Sequence, residues 1–332
     1  KSMKVLMATA FYPRGGSAQV VKYLSKALIK RGHEVKILSG SISGESESVN
    51  AKVFFENLDV YEVDYKESYL AFSSGNPDYM SNLKTPLSPS YEDKGSVPDK
   101  VFYKCTPLEC GNLITSWKVQ FTELSKNFQP DIIHLHHLNH IHESLWGSPL
   151  RSTPKITQLH GTELKMLEIM ETAEGGISKD FWRNLMSQNL ALMDRVIVND
   201  SKVGDLAKKF LQITDPQIQL LPNGVDTDVF KPIELTDSEK LHLFEQILVK
   251  NPQGWDESGV PGSISYSLDN LKDFVDENGQ IKPLVIYSGR FIALKRLSLL
   301  LESVKRANDY FAKRGKENFF NVLIVGGFPG EL

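Results

Sequence analysis

Short apolar runs alternate with longer amphipathic stretches along most of the chain. Lys4-Val5-Leu6-Met7-Ala8-Thr9 is a continuous apolar run of the kind that forms a buried parallel strand. Val20, Val21, Leu24, Ala27 and Leu28 then share one helical face, and Gly32 marks the end of that helix. Further strand-like runs fall at residues 34–38, 131–135, 155–159, 195–199, 218–221, 284–287 and 321–325. Helical patterns cover residues 115–128, 202–211, 237–249 and 297–312. Strands and helices in this rhythm predict an α/β protein with a mostly parallel sheet covered by helices on both faces.

The rhythm breaks twice. Residues 64–100 are rich in Ser, Pro, Asn, Gly and Tyr and read as a long surface excursion near the ligand cleft. A second boundary follows Pro222-Asn223-Gly224-Val225-Asp226. The pattern assigns residues 3–226 to an N-terminal Rossmann-like domain, 227–282 to a linker with one helix, and 283–332 to the start of a second domain. A lone β-α-β unit is too small to make a stable domain. A fragment cut within its second domain is therefore expected.

Two glycine turns carry candidate chemistry. Tyr287-Ser288-Gly289-Arg290 closes an apolar run, and Lys295 follows five residues after Arg290. A glycine with two fixed cations at a strand's carboxyl end suits the phosphates of a nucleotide; a solvated basic loop has the same sequence. Gly15-Gly16 opens the first helix, where missing Cβ atoms would let a ligand approach backbone N–H groups. A plain turn would look alike, and the G-x-G-x-x-G spacing of dinucleotide sites is absent, which argues against an oxidoreductase.

Composition narrows the setting. Lys and Arg total 38 against 41 Asp and Glu, so no charge excess calls for nucleic acid. No apolar run has transmembrane length and no secretory pattern is present, which leaves peripheral membrane contact open. Cys105 and Cys110, spaced Cys-x4-Cys, make neither a disulfide framework nor a zinc knuckle, and a cytoplasmic location is expected. Five of the eight histidines crowd into His134-Leu135-His136-His137-Leu138-Asn139-His140-Ile141-His142. The His-x-His-x-Asp-His signature of a metal-dependent hydrolase fails here, because Leu138 and Asn139 stand in its last two positions. Alternation puts His134 and His136 on one strand face, where substrate contact or supporting hydrogen bonds are expected. Asp200 reads as a helix cap and Trp182 as core.

Several of these motifs occur in a characteristic order. They are the strand before Gly15-Gly16, Pro130-Asp131-Ile132-Ile133-His134-Leu135-His136, Leu159-His160-Gly161-Thr162-Glu163, Val196-Ile197-Val198-Asn199-Asp200-Ser201, Pro222-Asn223-Gly224-Val225-Asp226, Gly289-Arg290…Lys295-Arg296 and Val325-Gly326-Gly327. In this order the chain resembles the retaining glycosyltransferases of family 4, which have the GT-B fold of two Rossmann-like domains.

The resemblance implies roles for individual residues. Gly15 and Gly16 would lie near the donor phosphates and the acceptor, and His160 would face the transferred sugar. Arg290 and Lys295 would hold the donor diphosphate beside Gly289 and Gly327, in place of a divalent metal. Apart from the resemblance, His136, Glu163 and Asn223 are further candidates for substrate contact, although Glu163 could equally cap the following helix by its charge and Asn223-Gly224 reads chiefly as a turn into the interdomain linker. A Glu-x7-Glu motif for donor sugar and ribose would lie downstream of Gly327. The implied activity is transfer of a hexose-type sugar from a UDP- or GDP-sugar to a small-molecule, glycan or lipid acceptor in carbohydrate biosynthesis, with no cofactor. A nucleotide-sugar epimerase of the same fold and a non-catalytic nucleotide-sugar-binding relative are the alternatives.

Overall fold

The computed structural model describes residues 1–44, 49–74, 85–92, 99–170 and 177–327. The chain divides into two compact units, Lys1–Phe230 and Lys231–Leu332.

The first unit is built on seven parallel strands in the order β3-β2-β1-β6-β7-β8-β9. They are β1 (Lys4–Thr9), β2 (Glu34–Ser41), β3 (Asp59–Asp64), β6 (Ile132–His136), β7 (Lys155–Leu159), β8 (Arg195–Val198) and β9 (Ile218–Leu220). β4 (Ser88–Ser90) and β5 (Asp99–Val101) form a separate parallel pair. The helices of this unit are α1 (Gly15–Lys30), α2 (Ala51–Phe54), α3 (Lys66–Ser73), α4 (Pro107–Asn127), α5 (Ile141–Trp146), α6 (Thr162–Ile169), α7 (Lys179–Ala191) and α8 (Ser201–Leu211).

Helices on the two faces of the sheet make two cores. One, under α1 and α2, gathers Val5, Met7, Val21, Val35, Ile37 and Phe55. The larger gathers Leu6, Leu38, Trp117, Phe121, Leu135, Leu159 and Trp182. Alternate residues of β1 thus feed opposite cores, as strand periodicity requires. Trp182 belongs to the core as expected. Asp200 caps α8, its Oδ1 accepting from Val203 N at 2.9 Å.

The described parts of residues 64–100 carry regular structure. They include the end of β3, α3 and β4, while 75–84 and 93–98 lie outside the described residues. Two buried groups tie this stretch down. The Tyr65 hydroxyl donates to Ala10 O at 2.6 Å and accepts from Trp117 Nε1 at 3.0 Å. Gly40 makes this packing feasible, because a Cβ there would overlap the Tyr65 ring and the Ala10 carbonyl.

The second unit pairs β10 (Leu284–Ser288) with β11 (Asn321–Val325) in parallel, with the crossover helix α10 (Leu297–Ala312) between them in sequence. Before them, α9 (Asp237–Phe244) starts at a Thr236/Glu239 capping box. It continues as a π-helical turn, Glu245–Lys250, where the sequence pattern predicts one uninterrupted α-helix to 249. Among the described residues no helix is long and apolar enough to cross a membrane.

Candidate functional site

Strand order places the candidate site of the first unit. β1 has β2 on one side and β6 on the other, so the chain reverses its direction across the sheet between β1 and β6. Ligands of open parallel sheets bind outside the carboxyl ends of the strands at such a point. Thr9 of β1 lies in register with His136 of β6, and His136 with Gln158 of β7. The β1–α1 turn, the β6–α5 loop and the β7–α6 turn therefore emerge on one edge.

The β1–α1 turn is firmly held. Ser39 Oγ donates to Phe11 O at 3.3 Å. Arg14 reaches the β4–β5 pair, donating to Pro89 O at 3.0 Å and pairing with the Asp99 carboxylate. It also donates to the Tyr12 hydroxyl at 3.0 Å and lies over the Phe11 and Tyr12 rings. Its charge is thus committed to holding the turn. Gly15, at φ +62°, needs glycine's freedom. Among the described residues, a Cβ at Gly15 or Gly16 would meet no heavy atom within 4 Å.

Behind this turn four histidines form a continuous row, buried except at His160. The His134 and His136 rings stack with centroids 4.2 Å apart, on one strand face as alternation predicts. His136 Nδ1 lies 3.2 Å from His160 Nε2, a hydrogen bond in which one ring donates and the other accepts. The His137 ring lies 4.4 Å from that of His160 and 4.9 Å from that of Phe11. His137 has a positive φ of 67°, and its N–H donates to Gln158 O at 2.8 Å. A non-glycine residue held in that region at a strand end stores modest strain beside the site.

Glu163 closes the arrangement from the first turn of α6. Its Oε1 accepts from His160 N at 3.1 Å, and its Oε2 lies 3.5 Å from His137 Nδ1. Burial disfavours its charge, but His137 and then His160 hold it below the usual carboxylate range. Burial pushes the imidazoles the other way. His160 falls to about 3, with His137 adding to the effect, and His134 and His142 fall to about 4. His136 is depressed by burial and by its histidine neighbours. His134, His136 and His160 are thus neutral at neutral pH, able to donate or accept hydrogen bonds, beside the anionic Glu163. Gly161, at φ +91°, lets the chain turn from β7 into α6 between His160 and Glu163.

The residues named from sequence separate accordingly. His136, His160 and Glu163 converge. Of these, His160 is half-buried, whereas His136 and Glu163 are 0% and 2% exposed. His136 and Glu163 both hydrogen-bond His160, through its ring and its backbone N–H respectively. Asn223 Oδ1 accepts from Gln158 Nε2 at 3.1 Å, linking the loop after β9 to the end of β7. His137, Tyr91 and Arg14 were not singled out from sequence. Tyr91 donates to Leu138 O at 2.7 Å and accepts from Asn139 Nδ2 at 3.3 Å, fixing the β6–α5 loop. Only three-dimensional packing reveals that role.

In the second unit, Gly289, Arg290 and Lys295 lie on the loop after β10, and Gly326 and Gly327 on the turn after the parallel β11. Both loops therefore leave the same edge. Gly289 N donates to Val325 O at 3.0 Å. A Cβ at Gly326 would overlap the Gly289 carbonyl oxygen, and one at Gly327 would strike the Phe291 ring. Arg290 and Lys295 are exposed, Lys295 on a short 3-10 turn, Ala293–Lys295. Among the described residues, no group of three or more His, Cys, Asp and Glu side chains could hold a metal ion.

Residues 83–229 match the sequence model described as Glycosyltransferase Family 4. This stretch is a glycosyltransferase family 4 segment. It contains β6 to β9 with His136, His160, Glu163 and Asn223. No curated protein matches the chain in sequence. Sucrose-phosphate synthase from Thermosynechococcus elongatus superposes with a TM-score of 0.51 at 13% identity, over 98% of this chain and 63% of that one. The catalytic domain of starch synthase IV from Arabidopsis thaliana, bound to ADP and acarbose, gives 0.46 at 14% identity over 98% and 69%. A UDP-N-acetylglucosamine 2-epimerase gives 0.36 at 11% identity over 98% and 69%. The likeness to the synthase concerns the fold, and the chain spans less than two thirds of that protein's length. With the family 4 segment set in a parallel α/β sheet, the fold class is the GT-B type expected from sequence.

Proposed function

We propose that the protein is a retaining glycosyltransferase that moves a hexose-type sugar from a UDP- or GDP-sugar to an acceptor hydroxyl, acting in the cytoplasm. The observation that carries this reading is the family 4 segment, whose His160 stands half-exposed at the carboxyl end of β7 with His136 and Glu163 fixing it.

Transfer breaks the anomeric C–O bond while negative charge grows on the leaving diphosphate. In this reading Arg290 supplies a permanently charged planar fork and Lys295 a compact point charge to that diphosphate, and a resident metal or cofactor is not required. A neutral His160 gives a sugar hydroxyl a hydrogen-bond partner without adding positive charge near an oxocarbenium-like centre. Such a centre would be destabilised by an imidazolium, so the depression of the His160 pKa to about 3 favours this role. Front-face attack assisted by the leaving phosphate gives retention without a protein nucleophile.

The test is incubation of the complete polypeptide with UDP- and GDP-hexoses and candidate acceptors. Free nucleotide with a glycosylated product is expected. An epimeric nucleotide sugar, or binding of the nucleotide sugar without turnover, would overturn the reading.

A further inference from the structure

The Cys-x4-Cys spacing acquires a physical meaning at the start of α4. Thr106 is the N-cap and forms a capping box with Glu109, Thr106 N donating to Glu109 Oε2 at 2.7 Å and Glu109 N to Thr106 Oγ1 at 3.3 Å. Cys105 is then the residue before the cap and Cys110 the fourth residue of the helix. Side chains at these two positions meet across a helix start, where apolar residues commonly form a staple. Here the staple consists of two thiols, both free and half-buried, and Cys105 Sγ donates to Val101 O at 3.6 Å.

A third group lies against the pair. His140, in the β6–α5 loop, adjoins Cys110 and is 4% exposed. Neither of its ring nitrogens has a hydrogen-bond partner among the described residues. Glu143 Oε1 lies 3.8 Å from His140 Nδ1 and accepts from Asn189 Nδ2 at 3.0 Å. The Phe102 and Trp182 rings pack around the imidazole at centroid distances of 5.8 and 5.1 Å. A thiol in the first turns of a helix, beside an imidazole backed by a carboxylate, is the environment that favours a thiolate.

We propose that Cys110 is a reactive thiolate whose oxidation by a hydroperoxide closes a Cys105–Cys110 disulfide. The titration behaviour agrees. The Cys105 thiol, followed by His140, holds Cys110 down to about 5 against burial. Burial works against a charged His140, but Cys110 and Glu143 raise it to about 9. The Cys110 thiolate attacks one peroxide oxygen and the O–O bond breaks. Cys110 becomes a sulfenic acid, and the departing alkoxide takes the imidazolium proton of His140. The Cys105 thiol then displaces the hydroxyl from the Cys110 sulfur. An S–S bond forms, the S–O bond breaks, and the Cys105 proton leaves in water. Two thiols lose two electrons, and the peroxide is reduced to an alcohol and water. Because His140 lies in the loop that also carries Tyr91's partner Asn139, this chemistry adjoins the candidate site without using its residues.

Alkylation of the reduced full chain at neutral pH, followed by peptide mass spectrometry, tests the proposal. Cys110 should react at least about tenfold faster than Cys105, as expected for a thiolate beside a thiol. Hydrogen peroxide should convert the pair to an intrachain disulfide, with loss of two hydrogen atoms in mass. Cys105→Ser should trap a sulfenic acid at Cys110 that dimedone captures, and His140→Asn should slow Cys110 alkylation about tenfold. Equal alkylation of the two cysteines in the unmodified folded chain would overturn the proposal, whatever the variants do. Peroxide treatment that leaves both thiols free would overturn it as well.

Discussion

His136 and His160 share a hydrogen bond of 3.2 Å across the carboxyl ends of adjacent parallel strands, and only His160 of the two meets solvent. With Glu163 bonded to the His160 backbone N–H, this contact fixes both the ring and the chain of one residue. His160→Ala should therefore lower kcat by about 10²-fold or more, the scale for losing one preorganised hydrogen-bonding group. Steady-state kinetics of the complete polypeptide would reveal it. Turnover within about threefold of the parent would rule out a catalytic His160.

Arg290→Ala and Lys295→Ala should each cost about 2.7–4 kcal/mol of transition-state stabilisation, roughly 10²–10³ in rate. Both side chains are exposed, so folding should be unaffected. If both variants keep activity within about tenfold, the diphosphate-clamp assignment is wrong.

Stability should depend on pH through the buried histidines. An unfolded histidine titrates near about 6.5, whereas His134 and His142 titrate at about 4 and His160 at about 3 when folded. Between these values the unfolded chain binds more protons, so stability rises with pH and levels off above about 6.5. Each such histidine contributes a slope approaching about 1.4 kcal/mol per pH unit within its window. His140 behaves oppositely, since its raised value of about 9 stabilises below the unfolded value and is lost as pH climbs through it. Denaturant melts at about pH 5 and 7 should differ clearly, the acid sample being weaker. Coincident curves would contradict neutral buried imidazoles.

Glycine substitutions should separate by local geometry. Gly40→Ala forces a Cβ into the Tyr65 ring and the Ala10 carbonyl and should destabilise the first unit by several kcal/mol. Gly161→Ala adds strain at φ +91° and a Cβ 3.3 Å from Val203 Cγ2, for a loss of about 1–3 kcal/mol. Gly16→Ala meets open space and should change stability by less than about 0.5 kcal/mol. Urea denaturation of the three variants checks the order, and a Gly16→Ala as damaging as Gly40→Ala would refute it.

Much of the frame is legible in the sequence. Apolar runs mark β1, β7 and β11 with their observed bounds, most plainly in β1, where five of the six residues are buried. The edge strand β3 was missed, since Asp59–Asp64 mixes acids with half-exposed apolar residues. The short α5 is hidden by His142, which looks polar in sequence yet is buried, its Nε2 lying 2.9 Å from Thr157 Oγ1. His160 was recognised by its place in His-Gly-Thr-Glu. Its partnership with His136 depends on strand register, and the thiol staple on a cap position, neither of which composition reveals.

β1 pairs with β2 on one side and with β6 on the other, the seam with β6 being the later of the two to form. Its amino end exchanges hydrogen bonds with Asp131, Lys4 N donating to Asp131 Oδ2 at 2.7 Å and Asp131 N to Lys4 O at 2.8 Å. β2 can dock soon after β1 is made, but β6 arrives only after more than a hundred further residues have been synthesised. A nascent chain must therefore leave one hydrogen-bonding edge of its first strand unpaired until β6 has been made. Until then that edge is open to pairing with another chain.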